Sequence, residues 1–270
     1  TCFGSKETIG VSKILDSRTI SFLILMNKKG LAVIVLAAGK GKRMKSPIAK
    51  VLQPLKSRPL LYYVLESLVP LNPDLSVLVV GVQSKVVRES FSDRGLIFVE
   101  QKEQLGTGHA AQQAQVALLD FSGDVLVVCG DMPLIKSQTL IDLVNNHREK
   151  KSACTVLTLK SSEKKDFGLV IRDEQGAVSK IVECKDATED EKRVDEFNSG
   201  VYCFDKQLFS KGLSNIGNDN IQKEYYLTDT IAYLVSIGFI IETKQITDSA
   251  QLLGINTQED LYLAEKIMMG

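Results

Sequence analysis

Short runs of β-branched and leucine residues at 31–36, 76–80, 96–99 and 124–129 are each bounded by glycine or charged residues and read as buried strands. Between and after them, apolar residues recur at helical spacing and predict helices at 59–68, 85–91, 108–119 and 137–150. Strand and helix in alternation predict an α/β fold with a Rossmann-like, doubly wound sheet. Past residue 150 the rhythm changes. Strands are expected at 153–159, 169–172, 178–183 and 200–204, with helices at 226–237 and 258–268, so the sheet should be mixed. No internal repeat and no low-complexity linker divides the halves, and one domain over 28–270 is expected, with lobes at 28–150 and 151–270.

A chain of 270 residues, 44% of them hydrophobic, can bury a large core. Its 33 basic and 33 acidic side chains cancel, and no basic block offers the footprint a nucleic acid needs. The five cysteines are odd in number and lack C-x-x-C spacing, which points to reduced thiols and a cytoplasmic setting. The apolar run at 20–26 is too short to span a bilayer, and Asn27-Lys28-Lys29 after it is unlike a cleavage site. No membrane association is expected, and residues 1–27 read as an extension that is disordered or without a role.

In open α/β sheets ligands bind beyond the carboxyl ends of strands, so the informative loops start at Ala37, Gln101 and Asp131. In the first, Gly39 and Gly41 let the backbone approach an anion. Met44 stands where a dinucleotide fingerprint has its third glycine, and the GK[ST] ending of a P-loop is absent. Arg43 and Lys50 add two permanent charges: the arginine fork suits terminal phosphates, and the compact ammonium suits the α-phosphate. Lys40, Lys42 and Lys45 read as solvated surface cations.

Leu36-Ala37-Ala38-Gly39-Lys40-Gly41-Lys42-Arg43-Met44, followed by Lys50-Val51-Leu52, resembles the L-A-x-G-x-G-T-R-M…P-K-V-L pattern of the sugar-phosphate nucleotidyltransferases. Lys42 replaces the threonine of that pattern and Ala49 the proline before the lysine. The resemblance implies that Leu36, Ala37, Ala38 and Gly39 bind nucleotide. Residues 101–110, QKEQLGTGHA, are similar to the loop of the family's uridylyltransferase branch. An amide can match a pyrimidine edge, so Gln101, with the backbone of Gly106 and Thr107, is expected to read uracil. His109 reads as structural. Gly130-Asp131-Met132-Pro133-Leu134 resembles the G-D-x-P-L metal loop, which assigns Asp131 to Mg²⁺. Cys129 reads as an inert strand residue.

In the second half, Phe167-Gly168-Leu169-Val170 stands where the family has Y-G-R-I, and Ile181-Val182-Glu183-Cys184-Lys185-Asp186-Ala187 matches I-V-E-x-K-D-A. Glu196-Phe197-Asn198-Ser199-Gly200 resembles E-x-N-[ST]-G, Glu224-Tyr225-Tyr226-Leu227-Thr228-Asp229 resembles E-Y-Y-x-T-D, and Gly254-Ile255-Asn256 resembles G-[VI]-N. These imply sugar contacts from Gly168, Glu183, Asn198, Tyr226 and Thr228, and Asn256 as second metal ligand opposite Asp131. The resemblance is closest to the bacterial N-acetylglucosamine-1-phosphate uridylyltransferases. It implies a nucleotide-diphospho-sugar transferase fold with a nucleotide-binding and a sugar-binding lobe. It also implies UTP and N-acetylglucosamine-1-phosphate as partners and an Mg²⁺-assisted in-line displacement that yields UDP-N-acetylglucosamine and pyrophosphate. Relatives often continue into a hexapeptide-repeat β-helix that transfers acetyl groups and trimerises. This sequence has no such repeats, so a monomer or weak oligomer, not a trimer, is expected. A uridylyltransferase for another hexose-1-phosphate, and a non-catalytic sugar-nucleotide-binding subunit, are the competing readings.

Overall fold

The computed structural model describes residues 29–81, 83–162 and 167–269. In chain order its first half comprises β1 (Gly30–Ala37), a small hairpin of β2 (Pro54–Leu55) and β3 (Arg58–Pro59), α1 (Leu60–Leu68), β4 (Leu75–Val80), α2 (Ser84–Ser90), β5 (Ile97–Glu100), α3 (Thr107–Ala114), β6 (Gly123–Cys129) and α4 (Ser137–Lys150). The second half comprises β7 (Cys154–Lys160), β8 (Leu169–Arg172), β9 (Val178–Val182), β10 (Glu196–Asp205), α5 (Lys206–Leu213), α6 (Asp229–Ser236), β11 (Ile241–Ile246) and α7 (Gln258–Ile267).

One sheet runs through both halves in the order β11-β7-β10-β6-β1-β4-β5, with β8 and β9 as an antiparallel arm on β10. Along that path β10 alone is antiparallel to its neighbours β6 and β7, while the other pairings are parallel. Alternation along β1 sends Leu31, Val33 and Val35 into one core layer, under α1, α2 and α4. Ala32 and Ile34 enter the other, under α3, α5 and α6. Burial on both faces explains why the parallel strands read as continuous apolar runs.

The expected strands and helices of the first half are present within a few residues. Helix α3 stops at Ala114 and tightens to a 3-10 turn over Gln115–Leu118, short of the expected 119. The helix expected from 226 begins at Asp229, because the backbone before it is engaged elsewhere: the Gly108 amide donates to the Tyr225 carbonyl at 2.7 Å, and the Leu227 amide to Thr107 Oγ1 at 3.1 Å. Strand β10 starts at Glu196, earlier than 200, with its pairing to β7 shifted between Asn198 and Tyr202 where Gly200 takes φ +80. The sequence reading did not resolve α5, β11 or the β2–β3 hairpin. Strand β11 is an edge strand with a polar, half-exposed middle, and α5 carries a glycine and four polar side chains.

At the amino end of the sheet the wholly buried Asp124 receives Lys29 Nζ at 2.7 Å and Arg148 Nε at 2.8 Å, with His147 Nε2 at 3.5 Å. Burial alone would raise this carboxyl, but the hydrogen bonds from His147, Lys29 and Arg148 outweigh it and hold the pKa at about 2. Residues 1–27, expected to be an extension, lie outside the described residues. No helix among the described residues is long and apolar enough to cross a membrane.

Candidate active site

The parallel register sets Leu36 beside Cys129, and the Gly130 amide donates to the Leu36 carbonyl at 2.9 Å. The loops after β1 and β6 therefore leave the sheet side by side. Lys50, on a 3-10 turn over Lys50–Leu52, donates from Nζ to the Asp131 carboxylate and, at 3.1 Å, to Asn256 Oδ1. A tie from the far end of the chain makes this possible. The Ile255 amide donates to the Asp131 carbonyl at 2.9 Å, and Ile255 packs in a separate apolar cluster with Met44, Leu55, Leu60 and Ala264. That cluster joins α7, the β2–β3 hairpin and the first glycine loop. Helix α7 is itself started by a capping box between Thr257 and Asp260, whose carboxylate also accepts the Asn256 amide at 2.9 Å.

Gly41 sits at φ +58, and a Cβ there would lie 2.9 Å from Lys50 Cβ, so glycine is what lets the two segments touch. The Asp131 and Asn256 side-chain oxygens both approach Lys50 Nζ, and oxygens of this kind suit a hard divalent cation completed by water and phosphate oxygens. No group of three or more His, Cys, Asp or Glu that could hold a metal ion forms among the described residues.

Two adjoining cavities share Leu36, Thr107, Cys129 and Asp131 in their walls. The larger, about 630 Å³, is lined by Leu36, Ala37, Ala38, Gly39, Arg43 and Lys50 on one side and by Gln101, Gly106 and Thr107 on another. Gln101 is buried; its Nε2 lies 3.0 Å from both the Gly106 carbonyl and His109 Nδ1, leaving Oε1 as the acceptor that no described residue engages. His109 thus helps hold the loop that carries Gln101, the structural part expected of it. Gly106 adopts φ +108 and ψ 175, and a Cβ there would come within 2.5 Å of the Tyr225 carbonyl oxygen. The Tyr225 amide in turn donates to the Leu105 carbonyl at 2.7 Å, so the loop over 101–106 is stitched to residues 225–227.

The smaller cavity, about 210 Å³, is lined by Gly168, Glu183, Asn198, Thr228, Asp131 and Asn256, among others. Burial pushes the Glu183 carboxyl above the usual carboxylate range, Asp229, Asp186 and Glu224 add to the rise, and Thr228 Oγ1 opposes it by donating at 3.0 Å. Asn198 is largely committed: Nδ2 donates to Tyr202 Oη at 2.6 Å and Oδ1 accepts from the Gly200 amide at 3.0 Å. Burial, with Asp131 alongside, raises the Cys129 thiol to about 12, so it stays protonated and unreactive.

Of the residues singled out from sequence, Tyr226 lines neither cavity; its hydroxyl donates to Asp186 at 3.0 Å and accepts from Gln222 at 2.8 Å. Every other residue assigned from sequence to catalysis, nucleotide, sugar or metal lines one or both. The sequence reading missed several more wall residues. Lys40 and Lys42, assigned there to solvent, line the larger cavity together with Lys185, Gln222 and Glu224. Lys185 and Glu224 fall inside the motifs quoted above, which was the available signal.

Comparison with known proteins bears on what passes through these cavities. Residues 33–196 match the family described as MobA-like NTP transferase domain. The chain is 41% identical over 241 residues to the bifunctional protein GlmU of Geotalea uraniireducens, covering 89% of this chain and 53% of that protein. It is 44% identical over 241 residues to GlmU of Pelobacter propionicus, covering 89% and 52%, and 42% identical over 235 residues to GlmU of Listeria monocytogenes, covering 87% and 51%. The chain thus spans about half the length of the curated relatives it matches. Its fold is similar to that of a UDP-glucose pyrophosphorylase solved with UDP-glucose, at a TM-score of 0.72 and 17% identity, covering 89% of this chain and 98% of that one.

Proposed function

Because the chain belongs to the family of MobA-like NTP transferase domains, matched over more than half its length, we propose that it transfers UMP from UTP to N-acetylglucosamine-1-phosphate, as a UDP-N-acetylglucosamine diphosphorylase. The observation that carries this reading is the meeting of Lys50, Asp131 and Asn256 at the junction of a larger, cation-lined cavity and a smaller, polar one. A reaction that joins two phosphorylated substrates needs its charge-neutralising groups at such a junction. The likeness to GlmU proteins supports the choice of sugar, and the fold it shares with a UDP-glucose pyrophosphorylase accommodates the choice of nucleotide.

The triphosphate lies along Leu36 to Gly39, with Arg43, Lys40 and Lys42 neutralising the phosphates that leave. Uracil sits against Gln101, Gly106 and Thr107. The free Gln101 Oε1 accepts the N3–H of uracil, whereas cytosine presents a lone pair at that position and leaves the buried acceptor unpaired. Gly168, Glu183, Asn198 and Thr228 face the sugar. An oxygen of the sugar phosphate, ionised at neutral pH, attacks the α-phosphorus; the bond from that phosphorus to the bridging oxygen breaks, and pyrophosphate departs with the electron pair. No general base is required. Lys50 stabilises charge on the α-phosphate oxygens as the pentacoordinate arrangement forms. Asp131 and Asn256 would hold a magnesium ion, which would supply further neutralisation of the phosphate charge.

The test is to mix the purified chain with UTP, Mg²⁺ and N-acetylglucosamine-1-phosphate and follow pyrophosphate, with glucose-1-phosphate and N-acetylgalactosamine-1-phosphate in parallel. Lys50→Ala and Asp131→Asn should each lower turnover by about two orders of magnitude or more with the fold intact. Parent-like turnover in a folded variant removes that residue from the mechanism, and faster release with another sugar phosphate changes the substrate.

A further inference from the structure

Lys50 Nζ reaches both Asp131 and Asn256 from a backbone that is itself held in place. Residues 46–49, which lead into its 3-10 turn, are gripped from two sides. From within, the buried Gln53 donates Nε2 to Ser46 Oγ at 2.9 Å and to the Ile48 carbonyl at 2.8 Å. From the other side, Gln83 Oε1 accepts the Ala49 amide at 2.8 Å while its Nε2 donates to the Pro47 carbonyl at 2.5 Å. One side-chain amide thus satisfies an acceptor and a donor two residues apart, immediately before the lysine. Gln83 adopts a left-handed φ of +65 just ahead of α2, a conformation that is uncommon for a residue with a side chain.

Ala49 itself has φ −50 and ψ 138, the extended geometry that a proline ring imposes. A proline at 49 would restrict this backbone covalently but would have no amide hydrogen to give. Alanine leaves φ free and supplies that hydrogen, and Gln83 takes it. We propose that Gln83 is a positioning residue for Lys50. Its amide clamps the backbone of Pro47 and Ala49, and the side-chain hydrogen bonds do here what a ring would do at position 49. The effect on catalysis rests on the role assigned to Lys50 above; the clamp does not.

Q83A removes the amide while keeping a β-carbon at the same φ, so it reports the hydrogen bonds rather than backbone strain. It should lower kcat about three- to tenfold, the factor a pair of exposed hydrogen bonds supports. KM for UTP should move less than twofold, the melting temperature should stay close to the parent's, and exchange of the Ala49 amide with deuterium should accelerate. Adding A49P to Q83A, where the ring no longer meets the glutamine, should restore kcat to within about twofold of the parent. Unchanged Ala49 exchange in Q83A overturns the clamp. Parent-like kcat in Q83A, or a folded A49P/Q83A that recovers nothing, overturns the positioning role. If the parent itself releases no pyrophosphate with any sugar phosphate, the reading of the reaction has failed, and the exchange measurement still decides whether Gln83 holds the loop.

Discussion

Gly106→Ala is the most informative single substitution, because it strains the stitch between the loop over 101–106 and residues 225–227. The native φ of +108 with ψ 175 belongs to a region essentially reserved for glycine, and forcing alanine into it costs about 1–3 kcal/mol. The new Cβ would also stand 2.5 Å from the Tyr225 carbonyl oxygen and 2.9 Å from both the Tyr225 nitrogen and Glu224 Cβ, so backbone rather than a flexible side-chain tip must give way. Moving that strand of backbone stretches the 2.7 Å bonds from the Tyr225 amide to Leu105 and from the Gly108 amide to Tyr225, each worth about 1 kcal/mol net. With partial relaxation the total is about 2–4 kcal/mol. In a domain of this size that lowers the melting temperature by about 5–15 °C. The displaced loop also moves Gln101 and Thr107, and UTP affinity measured by calorimetry should fall about tenfold or more. A G106A protein that melts within about 2 °C of the parent and binds UTP equally well would refute the argument that this glycine holds the two loops in contact.

Gly39 provides the opposite test: no atom lies within 4 Å of a Cβ built there, so Gly39→Ala should leave the melting temperature unchanged yet raise KM for UTP if phosphates pass over it. Thr228→Val removes the hydrogen bond that keeps the Glu183 carboxyl from rising further, so the acid limb of kcat/KM for the sugar phosphate should shift to higher pH; a limb that stays put excludes Glu183 from sugar binding. Asp124 is held at about 2 against an ordinary 3.8, and its ionised form therefore contributes stability that is complete above pH 4 and lost as pH falls toward 2, on the order of 2 kcal/mol. Asp124→Asn should abolish that part of the acid-unfolding curve and destabilise the protein at neutral pH by about 2 kcal/mol, since the part-exposed Lys29 and Arg148 can turn to water and Lys29 keeps Asp205.

The parallel core was legible because its strands are buried on both faces and their loops carry glycine and charge at sites that strand geometry alone puts at the sheet's carboxyl edge. The same logic fails where an element is short, polar or at an edge, as with β11, α5 and the β2–β3 hairpin. Lys40 and Lys42 illustrate a second limit. A lysine on a cavity wall and one in open solvent have the same local sequence, and only the fold tells them apart. Tyr226 illustrates the converse: its place in a motif suggests a pocket, whereas its hydroxyl is occupied by Asp186 and Gln222, partners that no local pattern pairs with it. Ala49 stands where the family pattern has a proline, and the partner of its amide, Gln83, lies 34 residues away in the chain, where no local pattern points to it.

The small apolar cluster that seats Ile255 has a consequence beyond its own packing. Lys50 is separated from Asp131 by 81 positions and from Asn256 by 206, and the last of these reaches the others only when Ile255 and Ala264 dock against Met44, Leu55 and Leu60. Without that docking the loops after β1 and β6 still leave the sheet side by side, but Lys50 loses the Asn256 oxygen. A helix none of whose residues lines either cavity therefore governs how completely Lys50 is partnered.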